Sequence, residues 1–305
     1  MTLEKRELGK TGMQVSVLGF GGAEIGYENA SLEAVEQLLG SALDAGLNVI
    51  DTAECYADSE EKIGRALSGR RNQYYLFTKC GHASGFDLPD WEPHLLEQSI
   101  DRSLRRLKTD YLDLVHLHSC SEELLRKGEV IEVLQKAKAA GKTRYIGYSG
   151  DSSAALYAVE SGVFDTLQTS INIADQEAIE LTIPVAREKG IGVIAKRPIA
   201  NAAWRFNIAS AENGSPPSYW EPYLERLKQL DYDFLKSELH QSIATALRFT
   251  LSIEGVSTAI VGTKKPDRWQ QNAKLLTNGS LGKEEFDSIR ERWRAVAQPD
   301  WVGQT

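Results

Sequence analysis

The chain has 305 residues, 26% charged and 42% hydrophobic, a composition that excludes a disordered or low-complexity protein. Its formal net charge of -8 argues against a general nucleic-acid or anionic-membrane surface, and no apolar run approaches the roughly 18 residues of a membrane helix. The polar residues 1–6 carry no targeting signal, and three cysteines fit a reducing, cytoplasmic setting better than a disulfide framework. In chain order, a short hairpin is predicted over 6–14, turning at Gly9-Lys10-Thr11-Gly12. β-Branched and aromatic runs at 15–22, 48–52, 74–79, 111–118, 145–149, 166–171, 192–198 and 258–262 read as strands. Helical patterns lie between them at 31–45, 59–67, 94–107, 122–140, 152–160, 177–189 and 219–250, with 267–276 and 283–296 after the last strand. Asp58 with Glu61 reads as a capping box, Pro93 suits a first helical turn, and Gly46, Gly141 and Gly190 sit where helices should end.

Alternating strands and helices imply parallel pairing through right-handed crossovers. Runs such as Ile-Gly-Val-Ile-Ala over 191–195 are apolar on successive positions, as strands covered on both faces should be. Eight such units predict a closed (β/α)8 TIM barrel, with the hairpin lidding its floor and an extra helix at its carboxyl terminus. The whole of 1–305 is then one domain. An open nucleotide-binding sheet would want G-x-G-x-x-G after its first strand, and Gly19-Phe20-Gly21-Gly22-Ala23 is not that fingerprint.

A barrel of this kind carries its chemistry at the carboxyl ends of its strands. There the sequence places Asp51 with Tyr56 just beyond, then Lys79, His118, Ser149, Gln168 with Asn172, Lys196 with Arg197, and finally Gly262-Thr263-Lys264-Lys265 with Arg268. Asp, Tyr, Lys and His together have a specific use. A tyrosine is a poor acid at neutral pH, and a neighbouring ammonium, itself fixed by a carboxylate, should stabilise the phenolate and lower that pKa. A histidine can orient a carbonyl oxygen while the tyrosine protonates it and hydride arrives at carbon.

At these residues the chain resembles the aldo-keto reductases. The blocks are Asn48-Val-Ile-Asp-Thr-Ala-Glu-Cys-Tyr56, Leu76-Phe-Thr-Lys79, Tyr111-Leu-Asp-Leu-Val-His-Leu-His118, Gly141-Lys-Thr-Arg-Tyr-Ile-Gly-Tyr-Ser149 and Ile260-Val-Gly-Thr-Lys-Lys-Pro-Asp-Arg268. They occur in the family's order over nearly the whole chain. The resemblance implies NADPH-dependent reduction of aldehydes or ketones, with Tyr56 as proton donor and Asp51, Lys79 and His118 completing the tetrad. It also implies that Ser149, Gln168 and Asn172 hold the nicotinamide carboxamide, that Thr263, Lys264 and Arg268 clasp the adenosine 2′-phosphate, and that Gln271 and Asn272 lie near the adenine. Gly21, Gly22, Lys196, Arg197 and Gly262 complete the candidate contacts to NADP(H). A Lys/Arg cluster at a helix amino terminus is independently a phosphate site. Two positions depart from the family: Lys196 replaces an aromatic that stacks on the nicotinamide, and Ser149-Gly150 replaces a Ser-Asn pair.

Other readings stand beside this one. His116 and His118 face the same side of one strand, but no ligand set recurs at the other strand ends apart from Asp51, so no metal is expected. His116 reads as a packed residue below the site and Asp113 as a structural acceptor. Cys55, Cys80 and Cys120 crowd the same rim, as core filler or as thiols sensitised by cations. Trp91, Trp204, Tyr219, Trp220 and Trp301 form either a substrate wall or loop packing. The expected partner is a small-molecule carbonyl compound. The alternatives are a regulatory barrel that binds NADP(H) with little turnover, an alcohol or sugar dehydrogenase running in the oxidative direction and, more distantly, a metal-dependent hydrolase.

Overall fold

A computed structural model describes residues 3–206 and 220–304. The hairpin pairs β1 (Lys5–Glu7) antiparallel with β2 (Gln14–Ser16). Gly9, at φ +54°, presses so close to the start of a later strand that a β-carbon there would lie 2.3 Å from the Gly192 nitrogen. Its neighbours Leu8, Met13 and Val15 are buried with Val49, Phe77, Leu114, Ile194 and Ile260, which closes the floor of the barrel. Each such fully buried side chain contributes roughly 2 kcal/mol of transfer free energy.

The chain continues as β3 (Leu18–Gly21), α1 (Ala23–Tyr27), α2 (Leu32–Asp44), β4 (Val49–Asp51), α3 (Ser59–Ala66), β5 (Tyr75–Cys80) and α4 (Pro93–Leu107). Then come β6 (Leu112–His118), α5 (Glu122–Lys127), α6 (Glu129–Ala139), β7 (Thr143–Ser149), α7 (Ser152–Ser161) and β8 (Thr166–Ser170). The last part holds α8 (Glu177–Leu181), α9 (Ile183–Lys189), β9 (Gly192–Lys196), α10 (Glu221–Leu230), α11 (Leu239–Ser252), β10 (Val256–Gly262), α12 (Arg268–Leu275) and α13 (Lys283–Val296). Strands β3 to β10 form a closed barrel, every neighbouring pair parallel, with β10 returning to β3. The predicted TIM barrel is therefore the observed fold. A second apolar layer, including Leu38, Ile50, Leu76, Val115, Leu167 and Trp269, lies between the strands and the helices.

The differences from the sequence reading have local causes. The predicted strand 15–22 divides, because Val15 serves the hairpin and the barrel strand begins only at Leu18. The helical pattern 122–140 breaks at Gly128, φ +83°, which ends α5 and opens α6. The pattern 177–189 breaks before Pro184, which cannot donate a backbone hydrogen bond. The stretch 219–250 divides at Asp231, φ +42°, and Tyr219 lies outside the described residues. The capping box at Asp58 does not form: Asp58 pairs with Lys62 at 2.8 Å and Glu61 with Arg106 at 3.3 Å, leaving the α3 amino terminus without a side-chain cap. No described helix is long and apolar enough to cross a membrane.

Candidate active site

The apolar run of β4 ends in Asp51 and that of β5 carries Lys79, both almost wholly buried. Lys79 Nζ donates to Asp51 Oδ2 at 2.5 Å and to the Thr52 carbonyl at 2.7 Å. Gln168 Nε2 donates to the other carboxylate oxygen at 2.9 Å, and Ser149 Oγ donates to Gln168 Oε1 at 3.1 Å. One chain of polar contacts thus joins the mouths of β5, β4, β8 and β7. Burial pushes the Asp51 carboxyl upward, while the Lys79 ammonium and the Gln168 amide pull it back.

Tyr56 sits in the turn after β4, where its N–H donates to the Ala53 carbonyl at 3.0 Å. Gly26 of α1 packs against that turn: a β-carbon there would lie 2.0 Å from the Tyr56 carbonyl oxygen. Lys79 Nζ is 5.1 Å from the Tyr56 ring centre, and the His118 and Tyr27 rings meet Tyr56 edge-on at 5.6 and 5.4 Å. The phenol is not lowered as the sequence predicts. Burial pushes it well above its usual value, Asp51, Cys55 and Tyr27 add to that shift, and Arg197 opposes it. The Lys79 ammonium is bonded to Asp51 rather than free to act on the phenol alone. Tyr56 accordingly carries its proton at neutral pH.

His118 closes β6, with Nδ1 3.4 Å from Cys55 Sγ. Its ring meets that of His82 at 5.3 Å, and His82 in turn is held by Asp90 at 2.9 Å and lies against Trp91. Burial, then the positive charge of Lys79, keeps the His118 imidazole well below its usual pKa and so neutral. His116 lies deeper, bonded to Thr166 Oγ1 at 3.1 Å, and Asp113 accepts from the Leu76 N–H at 2.9 Å and from Arg71 at 2.7 Å. Among the described residues no group of three His, Cys, Asp or Glu side chains could hold a metal ion.

Across the mouth a second charged group forms around Asp151. This residue is buried and receives Lys196 Nζ at 2.8 Å, Thr169 Oγ1 at 2.8 Å and the Ser170 N–H at 2.7 Å. Against the upward push of burial, Lys196, the Ser170 N–H and Arg197 hold its carboxyl below the ordinary range. Arg197, at φ +56°, donates to Ser170 Oγ at 2.7 Å and to the Gln304 carbonyl. Sequence reading missed Asp151, although an acid two residues past Ser149 facing consecutive Lys and Arg at another strand end was a usable signal. Gly150 has a steric reason: a β-carbon there would lie 2.4 Å from the Tyr148 hydroxyl, which donates to the Cys120 carbonyl at 2.7 Å.

Several features fit a dinucleotide. Asn172 is buried, its Oδ1 accepting from the Ala174 N–H at 2.8 Å while its Nδ2 has no partner among the described residues. An acceptor atom of a bound ligand would satisfy that donor. Gly21 and Gly22 leave the mouth of β3 bare of side chains, and the Gly22 N–H donates to the Asp51 carbonyl at 2.7 Å. A β-carbon on Gly262 would strike the Glu24 carboxylate. In the next loop Thr263 Oγ1 accepts from the Lys265 N–H at 3.1 Å, and Lys264 pairs with Glu28 at 3.0 Å with both side chains half-exposed. Arg268 opens α12, where Asn272 is buried and Gln271 exposed.

The thiols are not sensitised by their cationic neighbours. Burial raises Cys55 and Cys80 above the usual range and Cys120 to about 12. Of the aromatics, Trp91 flanks His82, Trp204 is half-buried, Trp220 stacks on Phe206 at 4.5 Å and Trp301 tilts onto Trp293 at 5.6 Å.

A closed barrel with an acid–amine pair, a phenol and an imidazole at its carboxyl rim defines an oxidoreductase class of site. The chain belongs to the Aldo/keto reductase family, whose family model matches residues 17–294. It is 30% identical to L-galactose dehydrogenase of Arabidopsis thaliana, over 99% of both chains. An aldo-keto reductase of Bacillus subtilis is 27% identical over 94% of this chain and 92% of its own. Among solved structures, the holo form of an aldo-keto reductase from Bacillus halodurans superposes with a TM-score of 0.80 at 27% identity, covering 98% of this chain and 99% of the other.

Proposed function

We propose that this chain, acting as a single domain over 1–305, reduces small aldehydes or ketones to alcohols with NADPH. When bound, NADPH supplies the hydride. Tyr56 donates the proton to the carbonyl oxygen as the general acid, which its protonated state at neutral pH permits. The neutral His118 donates a hydrogen bond that orients the same oxygen. Lys79 stabilises the charge that develops on the phenol oxygen after transfer, and Asp51 fixes Lys79 in position. The single observation that carries the proposal is the buried 2.5 Å Lys79–Asp51 pair set against the Tyr56 ring.

Ser149, Gln168 and Asn172 would hold the carboxamide, and Gly21, Gly22, Lys196, Arg197 and Gly262 would line the pyrophosphate path. Thr263, Lys264 and Arg268 would meet a 2′-phosphate, with Gln271 and Asn272 at the adenine. The same residues in reverse would oxidise an alcohol, and the name of the plant relative places hexose lactols among the compounds to try.

Nicotinamide absorbance with 4-nitrobenzaldehyde and a carbonyl panel, NADPH and NADH in parallel, and NADP+ with hexoses tests the reading. Steady turnover with preference for the phosphorylated cofactor is expected. Tight NADPH binding without turnover of any compound in either direction would refute it.

A further inference from the structure

Cys55 immediately precedes the proposed proton donor, yet the reaction as derived leaves its thiol without a task. The backbone that carries the thiol is held at two points. The turn that bonds the Tyr56 N–H to the Ala53 carbonyl fixes the backbone, and the Tyr27 hydroxyl donates to the Cys55 carbonyl at 3.4 Å. Its Sγ lies 3.4 Å from His118 Nδ1, within the reach of a sulfur hydrogen bond, and no other hydrogen bond of the His118 ring occurs among the described residues. A neutral imidazole has one donor and one acceptor nitrogen, and the partner of one nitrogen decides where the proton sits.

We propose that Cys55 is a positioning residue that fixes the tautomer of His118. Its S–H donates to Nδ1 and leaves the ring proton on Nε2, the nitrogen that remains to bond a substrate oxygen. This rests on the reductase reading of the site. Two other proton arrangements are possible at this contact, and the surroundings oppose both. In the first, Nδ1–H would point at a thiol sulfur, which is a weak acceptor, and Nε2 would face the substrate oxygen as a second acceptor. In the second, the proton would move from sulfur to nitrogen, giving a thiolate and an imidazolium. Lys79, a backbone hydrogen bond and the Tyr27 hydroxyl favour the thiolate, but burial is the largest influence on both groups and disfavours both ions, and Lys79, His82, Lys196 and His116 all disfavour the imidazolium. Glu60 also opposes the thiolate.

The test uses the full chain labelled with 15N-histidine, with His118→Gln to assign the ring signals. The wild type is expected to show an acceptor-type Nδ1 and a protonated Nε2 at neutral pH. Cys55→Ala is expected to give a mixture of tautomers and to lower kcat/KM for carbonyl reduction roughly three- to tenfold, the worth of one hydrogen bond, while the NADPH dissociation constant and the melting temperature stay unchanged. Cys55→Ser, which keeps a donor on the same stem, should recover the Nε2 tautomer and most of the rate. A wild-type ring protonated on Nδ1, or on both nitrogens, would overturn the proposal, as would unchanged ring signals and kcat/KM in Cys55→Ala. If the wild type reduces no carbonyl, the reductase reading fails while the nitrogen signals still decide the role of the thiol.

Discussion

The mouth of the barrel has two charged corners built on opposite principles. At β4, β5 and β8 every polar atom that matters is dry and already bonded: Lys79 to Asp51 and the Thr52 carbonyl, Gln168 to the second carboxylate oxygen. At the loop after β10 the cations are wet, and among the described residues Lys264 pairs with a half-exposed Glu28. A buried, fully bonded pair is costly to break and holds its geometry, which suits groups that must sit at one place in a reaction. An exposed pair is worth little and is readily exchanged for a stronger anion, which suits a site that must take up and release a phosphate. A third charged group, around Asp151, is buried like the first corner but made of one acid facing two cations.

The contrast can be broken at several points. The largest effect is expected for Tyr56→Phe, which should lower kcat by about two to four orders of magnitude without changing NADPH affinity, measured by steady-state kinetics and fluorescence titration. Lys79→Met should leave the buried Asp51 carboxyl bonded by Gln168 but without its ammonium partner and destabilise the fold by about 3–5 kcal/mol, read from urea denaturation. Asp175 offers a pH test near the Asp151 group. Burial, aided by the charge of Asp151, raises its carboxyl from 3.8 to about 7. The folded state therefore binds the proton more tightly than the unfolded state, and this residue's contribution to stability falls as pH rises from about 4 to about 7. Asp175→Asn should remove that slope, so its denaturation midpoint relative to wild type should be higher at pH 8 than at pH 5.

The wet corner should respond more weakly. Lys264→Ala should raise the KM for NADPH about tenfold and leave that for NADH almost unmoved. Smallest of all, Glu28→Gln should free Lys264 and tighten NADPH binding by less than about 1 kcal/mol, an effect that salt should erase. Equal responses to the two cofactors in the Lys264 variant would dissolve the distinction between the corners.

The fold was legible because strand and helix periodicities alternate through the whole chain, and periodicity is a local property. The candidate tetrad was legible because each member ends or follows an apolar strand. What escaped was decided by contacts distant in sequence. Asp58 is a good capping residue that bonds Lys62 instead, and the Tyr56 phenol is governed by how deeply it is buried rather than by the nearest ammonium. Asp151 gains its meaning only when β9 brings Lys196 to it. Gly150 stands where a Ser-Asn pair would have its amide because the Tyr148 ring fills the space a side chain would need.

The floor of the barrel has a practical consequence. Leu8, Met13 and Val15 seal the end opposite the mouth, whereas Gln304 bonds Arg197 and Ser170 at the rim itself. The hairpin and the segment around Gln304 are thus unequal as points of attachment. A label attached at the hairpin leaves the working end unobstructed, and one attached beside Gln304 crowds it.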